Sequence, residues 1–232
     1  MSTRKTSTRL RAVLNAVSGA PGALLRRSAA AQVRDERDVE QFYAKDRSAW
    51  RRWLAAHHRR PEPVWLIYYK KQSGTPSVTY AEAVEEALCY GWVDSRPNKL
   101  DAERYQQQFS PRKAKSPWSA INKKRVQRLI REERMTRAGL AKVEAAKNDG
   151  SWSSYDSVDA LSVPLDLAAA LAENRRAKAN FEKFPPSSRK IILWWVASAK
   201  RTATRDARIA ETVRLAAQNS RANHWRERGK GS

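Results

Sequence analysis

The chain switches between two hydrophobic periods, and the switches outline its elements. Trp50, Trp53, Leu54 and His57 fall at i, i+3, i+4 and i+7, one face of a helix that starts near Asp46. Pro61-Glu62-Pro63 stops it. Val64 to Tyr69 is a continuous apolar and aromatic run, bounded by Pro63 and the turn Ser73-Gly74-Thr75-Pro76. It is too short for a core helix and predicts a buried strand. Thr79 and Glu82 have the spacing of a capping box, and Ala83, Val84, Ala87 and Leu88 form the buried face of the helix they open. Gly91 suits the left-handed residue that closes it. Trp92 and Val93 start a second strand. Tyr105, Gln107 and Phe109 alternate with Gln106 and Gln108, which predicts a third strand with one wet face.

Ser116-Pro117 reads as a cap followed by Pro at the first helical position, ahead of a helix carrying Ile121, Val126, Leu129 and Ile130. Another helix runs from Thr136 to Asn148-Asp149-Gly150. Residues 151–163 are Ser-rich, lack periodicity and read as a linker. Beyond Pro164 the chain is all helix, with starts at Pro164/Asp166 and at Pro185-Pro186-Ser187. The second of these helices lines one face with Ile191, Trp194, Trp195 and Ser198. A last helix from about Thr204 to Gln218 buries Ile209, Val213 and Ala216. No internal repeat is visible.

The expected fold class is therefore α+β and mainly helical: a small antiparallel sheet with surrounding helices, plus a C-terminal helical module. The expected organisation is a basic, disordered extension (1–34), an α+β domain (35–150), a linker (151–163), a helical module (164–220) and a basic tail (221–232).

Charge changes this picture most. The 232 residues carry a formal +22. Residues 1–34 contain seven bases and no acid, and taking these seven away still leaves +15 on the rest. Such a field attracts nucleic acid, anionic lipid or acidic proteins, in a salt-dependent way. The Arg-rich leader also resembles an organellar transit peptide, which sets an organellar compartment beside a cytoplasmic one. No stretch of eighteen apolar residues exists, and the lone Cys89 rules out an intrachain disulfide.

Several segments resemble the YdeI/OmpD-associated (bacteriocin-protection, OmdA-type) family. They are Val64-Trp65-Leu66-Ile67-Tyr68-Tyr69-Lys70-Lys71, Ser73-Gly74, the run Tyr80 to Asp94, Phe109-Ser110-Pro111-Arg112-Lys113, and Ser116-Pro117-Trp118-Ser119 with Asn122. Residues 164–218, with Ser198-Ala199-Lys200-Arg201, are similar to the family's C-terminal module. The resemblance implies a non-enzymatic role in stress or antimicrobial-peptide resistance, exerted through binding. It brings no accepted catalytic residues. Family members have been described as periplasmic, whereas this chain shows no clear secretory signal; the cytoplasm is the expected compartment.

Candidate chemistry is sparse. Cys89 lies near the C-terminal end of its helix, where the dipole disfavours a thiolate. Glu82, Glu85 and Glu86 read as exposed helix positions, and Glu82 has a capping role. No metal-ligand spacing and no phosphate loop occur, so neither metal nor cofactor is expected. Asp94, following a strand, can meet Arg112 from its neighbour. With Trp118 and Asn122, and with Tyr68 and Trp92 as aromatic walls, it outlines either a small-molecule pocket or a structural salt bridge. Lys113, Lys115, Lys123, Lys124 and Arg125 surround Trp118 and outline a polyanion surface, in which Trp118 could stack on a base. The expected partners are thus a protein or a nucleic acid, with the oligomeric state open.

Overall fold

The computed structural model describes residues 39–223; the basic leader and most of the basic tail lie outside the described residues. The described residues from Phe42 onward form one compact unit. The fold is α+β and mainly helical.

Four strands, β1 (Gln41–Tyr43), β2 (Val64–Tyr69), β3 (Trp92–Lys99) and β4 (Arg104–Pro111), form a sheet in the order β1-β2-β4-β3. β4 pairs antiparallel with both neighbours, placing Phe109 opposite Val64 on one side and Asp94 on the other. The β3–β4 register shifts between Asp94 and Pro97. Proline has no N–H to give a ladder, and β3 tolerates it because it is an edge strand. The expected wet face is largely covered: Gln106 is only 7% exposed and Gln108 is half-buried.

Helix starts follow their caps. In α1 (Arg47–His57) the Asp46 carboxylate accepts from the Ala49 amide at 2.7 Å. In α2 (Tyr80–Cys89) Thr79 and Glu82 form the reciprocal capping box. Thr136 caps α4 (Arg137–Asn148). The helix α3 (Ala120–Arg131) starts later than expected, because Ser119 rather than Ser116 caps it. Pro117 stays in the preceding loop, where its carbonyl accepts from Arg112. Only Val126 and Leu129 of α3 are buried, while Ile121 and Ile130 face solvent.

Five further helices follow: α5 (Asp156–Asp159), α6 (Leu165–Ala172), α7 (Arg175–Lys183), α8 (Pro186–Ala197) and α9 (Thr202–Ala217). The break between α6 and α7 was not foreseen; Asn174 makes it, its side chain accepting from the Ala177 amide at 3.0 Å. In α8 the buried residues are Ser188, Ile192, Leu193 and Val196, not the Ile191/Trp194/Trp195/Ser198 face. One residue of offset turns a helix by roughly 100°. Trp194 and Trp195 are therefore half-buried at the edge of the core.

Two hydrophobic clusters result. The first joins Trp50, Leu54, Leu66, Trp92, Phe109 and Leu129. The second joins Leu167, Leu171, Phe181, Ile192, Val196 and Ile209. Among the described residues no helix is long and apolar enough to cross a membrane.

Candidate ligand-binding site

The bulge in β3 presents Asp94 beside the N-terminal turn of α2. Its Oδ2 accepts from the Tyr80 hydroxyl and from Gln107 Nε2, both at 2.9 Å. The same Gln107 amide also donates to the Ser95 carbonyl at 2.8 Å. Tyr68, on β2, stacks on Tyr105 with centroids 4.8 Å apart. Its hydroxyl is buried and has no protein partner. Burial, with Tyr105 and Asp94 adding to it, pushes that phenol well above its ordinary range. Burial and then Asp94 raise Tyr80 as well, while Arg125 opposes them.

Arg112 follows β4 and is the one Lys or Arg that is buried among the described residues, at 5% exposure. Its guanidinium lies 3.7 Å from the Trp118 ring centroid, a close cation–π stack. Nη1 donates to the Pro117 carbonyl at 2.9 Å and to Ser116 Oγ at 3.3 Å, but Nε finds no protein partner. Desolvation pushes Arg112 down to about 10 against the pull of Asp94. The expected Asp94–Arg112 ion pair does not form: each group is held by other partners. Trp118 is 1% exposed, and its indole Nε1 also lacks a protein partner. Arg112 and Trp118 line a hollow of about 70 Å³ with Lys113, Lys115, Lys142 and Asp149. Asp94 is not among its lining residues.

The remaining candidates scatter. Trp92 is a core residue whose Nε1 donates to the His58 carbonyl at 3.0 Å. Asn122, on α3, accepts from Arg125 at 3.0 Å. Lys123 is engaged with Asp156, while Lys113, Lys115 and Lys124 are exposed. Trp118 cannot act as a stacking platform for a base, because Arg112 covers it inside the fold. Cys89 is buried, and desolvation followed by Glu86 pushes its thiol up to about 11. Among the described residues no group of three or more His, Cys, Asp or Glu could hold a metal.

The glutamates of α2 are not exposed as expected. Glu86 is fully buried and accepts from Arg47 at 2.5 Å, from Arg51 at 2.6 Å and from Arg134. Glu85 engages Arg47 at 2.9 Å and also Arg128. Four arginines from α1 and from α3 and its following loop thus close over one helix face. Their spacing is invisible along the chain. Tyr80 and Gln107 were missed as neighbours of Asp94 for the same reason, although the alternation in β4 did put Gln107 on the Tyr105/Phe109 side.

Residues 160–219, which hold α6 to α9 and the second core, match the family model for bacteriocin-protection, YdeI or OmpD-associated proteins. The chain carries a YdeI/OmpD-associated domain. Residues 42–142 match a different model, a domain of unknown function (DUF8412). No curated protein and no solved structure matches the chain. The resemblance read in segments from Val64 to residue 218 therefore divides in two. Ser198-Ala199-Lys200-Arg201 falls within the YdeI/OmpD-associated domain, whereas the polar cluster from Tyr68 to Asn122 lies wholly within the other.

Proposed function

We propose that this protein is a non-enzymatic binding protein of stress or antimicrobial-peptide resistance, whose site is the hollow lined by the buried Arg112 and Trp118 and whose ligand is small and rich in hydrogen-bond acceptors. One observation carries this reading. Of the four buried side-chain polar atoms without a protein partner among the described residues, three are Tyr68 Oη, Arg112 Nε and Trp118 Nε1. Each such atom costs about 1–3 kcal/mol when left unpaired. Native folds carry few of them, and each calls for a partner such as an ordered water, an ion or a ligand. Arg112 and Trp118, which share a hollow, offer donors to one ligand, and a carboxylate matches them.

The family description supports the resistance role. Capture of a cationic peptide is disfavoured by a chain of net charge +22. A small acidic ligand fits the field better. The nucleic-acid reading centred on Trp118 loses its stacking platform, since that ring is buried beneath Arg112.

The test is thermal shift and calorimetric titration with acetate, succinate and citrate, on the wild type, Arg112→Met and Trp118→Phe. Saturable binding by the wild type, weakened roughly tenfold or more in each variant, is expected. No binding of any carboxylate, or equal binding by Arg112→Met, sinks the site. Unchanged survival of a deletion strain under cationic peptides sinks the resistance role.

A further inference from the structure

A second basic feature adjoins the Arg112 hollow, with which it shares Lys142. Behind the α2–β3 turn is a cleft of about 630 Å³ lined by His58, Arg59, Arg60, Tyr90, Arg137 and Lys142, among others. No Asp or Glu lines it. Arg59 and Arg60 come from the segment that leaves α1, while Arg137 and Lys142 come from α4, so two elements face each other across it. Arg60 is engaged with Glu62 at 3.8 Å and lies over the Trp53 ring. Arg59, Arg137 and Lys142 are exposed and have no ion-pair partner among the described residues. By contrast, Glu85 and Glu86 neutralise Arg47, Arg51, Arg128 and Arg134.

The floor brings flat surface to this charge. The rings of His58 and Tyr90 lie 5.4 Å apart, tilted by 46°. Gly91 lets the backbone approach α4 closely here: an added Cβ would meet Lys142 Cγ at 2.7 Å and the Ala138 carbonyl at 3.1 Å. The cleft opens beside this close contact. Its volume falls in the ordinary range of small-molecule sites.

We infer that this cleft binds a phosphate-bearing ligand of nucleotide size, with Arg59, Arg137 and Lys142 on the phosphates and the His58/Tyr90 surface against the flat portion. Guanidinium and ammonium groups from opposite walls suit a chain of phosphates, which spreads its charge over several ångströms. A carboxylate ligand would engage one wall only. The inference does not depend on the Arg112 site.

The test is titration of the full-length protein with ATP, with inorganic triphosphate and with adenosine, at low and moderate salt. ATP should bind saturably, inorganic triphosphate should compete, and adenosine alone should bind far more weakly. Arg137→Glu combined with Lys142→Glu should weaken ATP binding by roughly tenfold per cation. Arg59→Glu, on the other wall, should weaken it by a similar factor and serves should the double variant fail to fold. Arg131→Glu, an exposed cation of α3 that lines neither hollow, should leave ATP binding unchanged, which separates the cleft from the general basic field. No saturable binding of ATP at low salt overturns the inference, as does undiminished binding when both walls are reversed. Equal binding of adenosine and ATP overturns the assignment of the cations to phosphate.

Discussion

Tyr68 carries the sharpest consequence at the scale of single residues. Its hydroxyl is buried without a protein partner, so the folded chain gains little from the oxygen and bears its desolvation. Tyr68→Phe keeps the ring that stacks on Tyr105 and removes only the orphan. The variant is therefore expected to be as stable as the wild type or more so, by up to about 1 kcal/mol. Chemical denaturation reads the effect. A loss above about 1 kcal/mol on Tyr68→Phe would show that the hydroxyl is already satisfied within the protein. Glu86 is the opposite case: a buried carboxylate whose partners all come from within the fold. The contrast separates a structural charge cluster from an unfinished one, and no pattern along the chain distinguishes the two glutamates from ordinary surface positions.

Elements show why some of the fold was legible and some was not. Caps are local chemistry, so Asp46, Thr79 with Glu82, and Thr136 mark three helix starts within a few residues of sequence. Strand β2 was equally plain, since a short apolar run between breakers has few alternatives. Pro117 misled because a serine and a proline in a loop resemble a cap until Arg112 claims both Ser116 and the Pro117 carbonyl. The buried face of α8 was read one residue out because six of its residues in a row are large and apolar, which blurs the period. Gly139 is a case that only packing reveals. It lies where α4 crosses the end of α2, and an added Cβ would meet the Cys89 carbonyl oxygen at 2.3 Å and its carbon at 2.7 Å. These are backbone atoms and cannot swing away. Gly139→Ala gains roughly 1 kcal/mol of helix propensity, but the overlap forces the helices apart at a cost of about 3 kcal/mol. Scanning calorimetry should show Tm falling by roughly 4–8 °C for the net loss. An unchanged or raised Tm would mean that the two helices separate freely, and that the α2–α4 contact is not a fixed wall of the basic cleft.

For the whole molecule the question is how two hydrophobic clusters with no shared member unfold. Asp159 links them by polar contact. It belongs to the short helix α5, whose Val158 enters the second core. Its carboxylate accepts from the Ala120 amide at the start of α3 at 2.5 Å and from Lys190 of α8 at 2.7 Å. Lys123 and Asp156 add a neighbouring bridge. Burial alone would raise the Asp159 carboxyl, but the bonds from Lys190 and Ala120 outweigh it and hold the group below its ordinary range. The sign follows. A carboxyl depressed in the fold stabilises above its unfolded value, roughly pH 4, and that contribution is lost as pH falls through the folded value. Asp159→Ala at neutral pH should therefore lose about 1–3 kcal/mol. It should also split the calorimetric transition, because the two cores then keep few common bonds. As pH falls below roughly 4, the gap between wild type and variant should close, since protonation removes from the wild type what the mutation removed already. A variant that unfolds at neutral pH in one transition with an unaltered Tm, or a gap that widens in acid, would show that the cores are joined by something other than this carboxylate.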